Sequence, residues 1–204
     1  MTLEVEDGLS LEASFATGSQ AAAVVAPPHP LYGGRMDSPV VGEVVRAVAA
    51  AGAASLAFNW RGVGASTGRP SGDGGEAERD YAAALAFLAD RVDAPRWACG
   101  YSFGGATAIR AAATDPGVDR LILVAPPASM IDAERMRRFE GRIFLAVGEN
   151  DDLVQPGELE ALVSPMPRAY FCALAETDHF FATAGLPELA AELGRWLESA
   201  EEES

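Results

Sequence analysis

Three short segments carry the side chains that could perform covalent chemistry together. Gly100-Tyr101-Ser102-Phe103-Gly104-Gly105 follows the apolar run Trp97-Ala98-Cys99 and opens an alanine-rich stretch. A G-x-S-x-G spacing at a strand-to-helix turn exposes a hydroxyl beside a helix N-terminus, and small flanking residues allow the turn to be tight. A serine hydroxyl is a poor nucleophile until a base removes its proton, and histidine suits that task near neutral pH. The chain holds only His29 and His179. His179 lies in Glu176-Thr177-Asp178-His179-Phe180-Phe181. An acid to orient it is available in Gly148-Glu149-Asn150-Asp151-Asp152-Leu153-Val154. The order is serine, acid, histidine.

These segments need a scaffold that brings them together. Leu3–Glu6 and Leu9–Ala13 alternate like two short strands around Asp7-Gly8. Continuous apolar runs over Ala21–Ala26, Ala54–Asn59, Arg96–Gly100, Leu121–Ala125, Ile143–Gly148 and Ala169–Ala173 read as buried strands. Between them, helical patterns cover Val40–Ala51, Glu76–Arg91, Gly104–Thr114, Glu158–Val163 and Leu186–Ala200, and Glu201–Ser204 reads as a frayed end. Such alternation predicts an α/β chain with a mostly parallel sheet flanked by helices on both faces, edged by the antiparallel N-terminal hairpin. No linker or repeat divides it, so residues 1–204 are expected to form one domain. Ligands of such sheets bind beyond the C-terminal ends of the strands. Every candidate residue follows a predicted strand.

Composition narrows the chemistry further. The formal net charge is −15, and every basic residue is arginine. Lysine Schiff-base and P-loop mechanisms are excluded, and nucleic acid is not expected as a partner without clustered positive charge. No apolar run is long enough to span a bilayer, and the acidic N-terminus lacks the features of a secretory signal. A cytoplasmic protein with no membrane partner is expected. Cys99 and Cys172 fall in apolar strands and read as buried structural thiols, and no zinc spacing is present.

The chain resembles an α/β-hydrolase along essentially its whole length. The elbow matches at Gly100, Ser102 and Gly104, the acid loop is similar to G-x-x-D-x-x-V, and the histidine loop is similar to D-H-F. His29-Pro30-Leu31-Tyr32-Gly33-Gly34 resembles the family's oxyanion loop, and Arg61-Gly62-Val63-Gly64-Ala65-Ser66 its R-G-x-G-x-S loop. Within the superfamily it looks most like compact bacterial hydrolases related to dienelactone hydrolase. Pro126–Gly141 leaves room for at most a short helix, so no large cap domain is expected.

The resemblance implies a catalytic triad of Ser102, Asp151 and His179, with Asp151 rather than Asp152 as the acid. It implies an oxyanion hole from the Phe103 N–H and that of Leu31 or Tyr32. Tyr32, Tyr101 and Phe180 are candidate substrate-binding residues, as are Phe103 and Phe181, and core packing is an equal alternative for both Phe180 and Phe181. The implied activity is hydrolysis of a small ester, thioester or related acyl molecule through an acyl-enzyme, without metal or organic cofactor. Acyl transfer with the same machinery and a non-catalytic binding module are the alternatives. His29 is expected to act structurally, Arg61 to pin loops through carbonyls, Asp178 to cap its loop, and Asp37 to cap a helix or border the pocket.

Overall fold

Small and β-branched residues uninterrupted by charge build the centre of the sheet. In the computed structural model, which describes residues 1–6 and 8–199, the strands are β1 (Thr2–Glu4), β2 (Ser10–Ala16), β3 (Ala22–Ala26), β4 (Ala54–Phe58), β5 (Arg96–Tyr101), β6 (Val118–Val124), β7 (Arg142–Gly148) and β8 (Ala169–Leu174). They form one sheet in the order β1-β2-β4-β3-β5-β6-β7-β8. β1 and β2 pair antiparallel, as does β2 with β4, and all the other pairs are parallel. β3 and β4 are buried along their whole length, as expected for strands covered on both faces. Asp7 of the expected first turn, Ala200 and the tail Glu201–Ser204 lie outside the described residues.

The helices are α1 (Pro39–Ala50), α2 (Gly74–Ala89), α3 (Phe103–Ala112), α4 (Ala133–Arg138), α5 (Pro156–Val163) and α6 (Leu186–Ser199). α1 packs against α6 and α2 against α3, so each pair covers sheet surface. Side chains start several of them. Ser38 Oγ accepts from the Val41 N–H ahead of α1, Asp73 from Glu76 ahead of α2, and Asp132 from Arg135 ahead of α4. Ser38 therefore occupies the capping position suggested for Asp37, which instead pairs with Arg35.

Element boundaries differ from the sequence pattern by a few residues, at β6 for a local reason. β6 starts at Val118, three residues before the apolar run, because Asp119 and Arg120 lie at the end of the sheet where their side chains still reach water. Arg120 nevertheless aligns with both Trp97 and Arg142. β8 is half exposed along one side because no strand lies beyond it. Between β6 and β7 the chain holds only one 3₁₀ turn, Ala128–Met130, and the six-residue α4. Among the described residues, no cap domain covers the C-terminal ends of the strands. Among the described residues, no helix is long and apolar enough to cross a membrane.

Candidate active site

The turn between β5 and α3 holds Ser102 at φ 54°, ψ −119°, a left-handed conformation that costs a non-glycine residue energy. The fold compensates with backbone bonds. The Ser102 N–H donates to Val124 O at 2.7 Å, and Ser102 O accepts from Gly105 and Ala106 at 2.9 and 3.2 Å. The flanking glycines permit the crossing. A Cβ on Gly100 would stand 2.2 Å from the carbonyl carbon of Gly104, and one on Gly104 would stand 2.5 Å from Ala26 O. Strand and helix meet backbone to backbone, and the serine is left at the apex.

From that apex a relay runs inward. Ser102 Oγ lies 3.0 Å from His179 Nε2, and His179 Nδ1 lies 2.7 Å from Asp151 Oδ2. All three side chains are buried. A carboxylate can only accept, so the tautomer that satisfies both contacts carries its proton on Nδ1 and leaves Nε2 to accept from the hydroxyl. The other oxygen of Asp151 accepts from the Leu153 and Val154 N–H groups at 2.9 and 2.8 Å, which locks the carboxylate plane. Neighbouring Glu149 and Asp152 are exposed and take no part in this relay.

Tyr101 corrects an expectation. Its ring is buried and its hydroxyl donates to His179 O at 2.6 Å, so it holds the histidine loop and does not line a substrate cleft. Burial, and then the charges of Asp151 and Asp178, push that hydroxyl well above its ordinary range. Asp178 caps the same loop through Ala182 N–H at 3.1 Å. Phe181 turns into the core at φ 55°, whereas Phe180 stays exposed with its ring edge-on to His179.

On the other side of the elbow, Pro30–Tyr32 forms a 3₁₀ turn capped by His29. The Leu31 N–H donates to His29 Nδ1 at 3.2 Å, and the Tyr32 and Gly34 N–H groups donate to His29 O at 3.1 and 3.0 Å. Burial lowers the pKa of His29, which suits an imidazole that accepts through Nδ1. The loop is anchored below by Trp60 Nε1, which donates to Pro27 O and Pro28 O, and by ring contacts running from Trp60 through Phe103 to His29 and Tyr32. Phe103 opens α3, so its N–H has no acceptor within the helix.

Two supporting residues were missed by reasoning from sequence. Arg61 is buried against Asp80, which accepts from its backbone N–H and from its Nε and Nη2. Arg61 Nη1 reaches Glu76 Oε1, and Nη2 also donates to the carbonyl of Glu76. Carboxylates therefore join the expected carbonyl contact, because a guanidinium removed from water needs an opposite charge. Next to Asp80, Tyr81 directs its hydroxyl at Val24 O and Cys99 O, linking the two central strands directly below the elbow. The signal was present: residues 77, 80, 81, 84, 85 and 88 form the buried stripe of α2, and Asp80 is its one charged member. Cys99 is buried as expected, but Cys172 is only half-buried on β8. Burial pushes both thiols up, away from thiolate chemistry. Among the described residues, no group of three or more His, Cys, Asp or Glu side chains could hold a metal ion.

A strained serine on a strand-to-helix turn, facing a histidine and an acid from later loops of a parallel sheet, defines a class of fold. A family profile described as alpha/beta hydrolase fold matches residues 31–141, more than half of the chain, and the chain belongs to that family. An alpha-beta serine hydrolase homologue from Coxiella burnetii is similar at 27% identity, over 96% of this chain and 95% of that one, with a TM-score of 0.85. A serine hydrolase without lid from Xanthomonas campestris is similar at 26% identity, over 98% and 93% of the two chains, with a TM-score of 0.84. An uncharacterized protein of Rickettsia prowazekii is 28% identical over 170 residues, 78% of this chain and 71% of that protein.

Proposed function

We propose that the protein is a serine hydrolase that cleaves a small ester, thioester or related acyl substrate through an acyl-enzyme. The observation that supports this reading is the continuous relay from Ser102 through His179 to Asp151, at 3.0 and 2.7 Å, inside a hydrolase fold. Ser102 Oγ bonds to the carbonyl carbon as its proton passes to His179 Nε2, and Asp151 stabilises the imidazolium that results. The tetrahedral oxyanion is held by the Phe103 N–H at the start of α3 and by one N–H of the Leu31–Tyr32 turn. We assign the second donor to Leu31. Its N–H now rests on an imidazole nitrogen at 3.2 Å and can turn to a stronger acceptor, whereas the Tyr32 N–H closes the turn itself. Collapse breaks the carbon–leaving-group bond, and the leaving group departs with the proton from His179. Water then repeats the sequence, His179 taking its proton, and the acid is released with Ser102 restored. The mechanism needs no metal or organic cofactor.

The test is direct. A fluorophosphonate probe is expected to modify Ser102, and Ser102→Ala to abolish both labelling and turnover of p-nitrophenyl acetate while melting at an unchanged temperature. Labelling that persists in the folded variant would place the nucleophile elsewhere.

A further inference from the structure

Four large apolar side chains stand in solvent around the elbow, although each is fixed to a residue of the site. Tyr32 is 87% exposed, Phe180 67%, Leu153 63% and Leu31 58%. The Leu31 N–H donates to His29, and the Tyr32 ring lies 4.8 Å from the His29 ring. The Leu153 N–H donates to Asp151, and the Phe180 ring meets that of His179 at 5.4 Å. These residues come from the loops after β3, β7 and β8, so they gather at the C-terminal end of the sheet, where Ser102 opens. Apolar surface grouped in this way on an acidic protein marks a place of contact. Its position beside the nucleophile makes the contact a substrate.

Charge in the same loops restricts what that substrate carries. The loops after β3, β7 and β8 (27–38, 149–155 and 175–185) contain Asp37, Glu149, Asp151, Asp152, Glu176 and Asp178 against one arginine, Arg35, whose Nε lies 3.3 Å from Asp37 Oδ1. Arg61, on the loop after β4, is buried against Asp80 and Glu76. Acids outnumber arginines in these loops, and Arg35 is already paired with a carboxylate, so the mouth sits in a net negative field.

We propose that the site selects uncharged acyl substrates with an extended apolar chain, which lies across Leu31, Tyr32, Leu153 and Phe180. It discriminates against esters carrying a carboxylate or phosphate near the scissile bond, acyl groups on polyphosphorylated carriers included. The inference rests on the serine-hydrolase reading above and names the substrate class of that same site.

The experiment compares kcat/KM for p-nitrophenyl acetate, hexanoate, hemisuccinate and the methyl ester of the hemisuccinate. An open rim covers about half of each methylene, worth about twofold per methylene, so hexanoate, with four more of them, is expected to exceed acetate by roughly fifteenfold. The hemisuccinate should fall at least about tenfold below its methyl ester at low salt, and the gap should narrow as salt screens the field. Leu31→Ser and Leu153→Ser should each lower the hexanoate-to-acetate ratio. As a second measurement on the unaltered protein, a long-chain alkyl fluorophosphonate should label Ser102 faster than a methyl one. A flat chain-length series, or a hemisuccinate cleaved as fast as its methyl ester at low salt, overturns the inference while labelling of Ser102 leaves the hydrolase reading intact. No labelling and no turnover of any ester removes both.

Discussion

Replacing Asp151 by Asn exchanges one oxygen for an NH₂ and is expected to silence the site, because the two oxygens of Asp151 face opposite demands. One accepts from His179 Nδ1 at 2.7 Å, and the other accepts from two backbone N–H groups at 2.9 and 2.8 Å. An amide has one oxygen to give. If that oxygen stays on the backbone, the NH₂ donates to Nδ1, the imidazole proton moves to Nε2, and His179 can no longer accept from Ser102. If the amide flips, the productive tautomer returns, but the NH₂ faces the N–H groups of Leu153 and Val154. The flip forfeits two hydrogen bonds at about 1 kcal/mol each and adds donor–donor repulsion, about 2–3 kcal/mol in all, so the productive state falls by roughly 30- to 150-fold. Loss of the charge-assisted bond to the imidazolium removes a further 10- to 100-fold or so. Asp151→Asn should therefore lower kcat for p-nitrophenyl acetate by about 3 × 10² to 10⁴ with an unchanged melting profile. Asp151→Ala, which imposes no wrong tautomer, should be no worse. Retention of more than about a tenth of kcat, or an alanine variant far weaker than the asparagine one, would refute the tautomer argument.

Two further expectations concern the frame. Asp80→Ala strands a buried guanidinium and should cost about 3–5 kcal/mol, roughly 10 °C in a calorimetric melt, whereas a loss below about 1 kcal/mol would show that Glu76 alone suffices for Arg61. The Arg96 guanidinium beside Asp115 holds its carboxyl below the ordinary 3.8, so the stability this provides is full above that pH and drains away as pH falls through the lowered value. Urea midpoints of the wild type should accordingly exceed those of Asp115→Asn at neutral pH and converge with them in acid, and a gap that persists there would assign the stability to something other than the charge.

The central strands were legible because parallel strands buried on both faces appear as unbroken apolar runs, and the elbow because its glycine spacing answers a local steric demand. The start of β6 was not, since Arg120 aligns with two neighbouring strands yet it and Asp119, which falls at a register irregularity, read as loop residues. Segments holding Ser102, Asp151 and His179 could be placed at strand ends from pattern alone, but the choice of Asp151 over its neighbours came from likeness to a motif. In the fold, two backbone N–H groups and His179 converge on that carboxylate. Partners distant in sequence stayed hidden. Asp80 lies 19 residues from Arg61, and the Tyr101 hydroxyl finds its acceptor 78 residues away. An aromatic residue beside a nucleophile reads equally well as a pocket wall. Phe180 and Phe181 are identical in type and adjacent, yet one faces solvent and the other the core, because the left-handed backbone at Phe181 redirects the chain.

The bond from the Tyr101 hydroxyl to His179 O acts as a gauge. The residue directly before Ser102 grips the backbone of His179, so the spacing between the two is referenced across a single contact and not across four strands of sheet. β8, which delivers His179, is the exposed edge strand, with the weakest cover of the parallel set. Breathing of that edge can therefore carry the loop some way without parting imidazole from hydroxyl. An open-faced enzyme without a cap to clamp its last loop keeps its alignment from within, by tethering the least supported element to the stiffest.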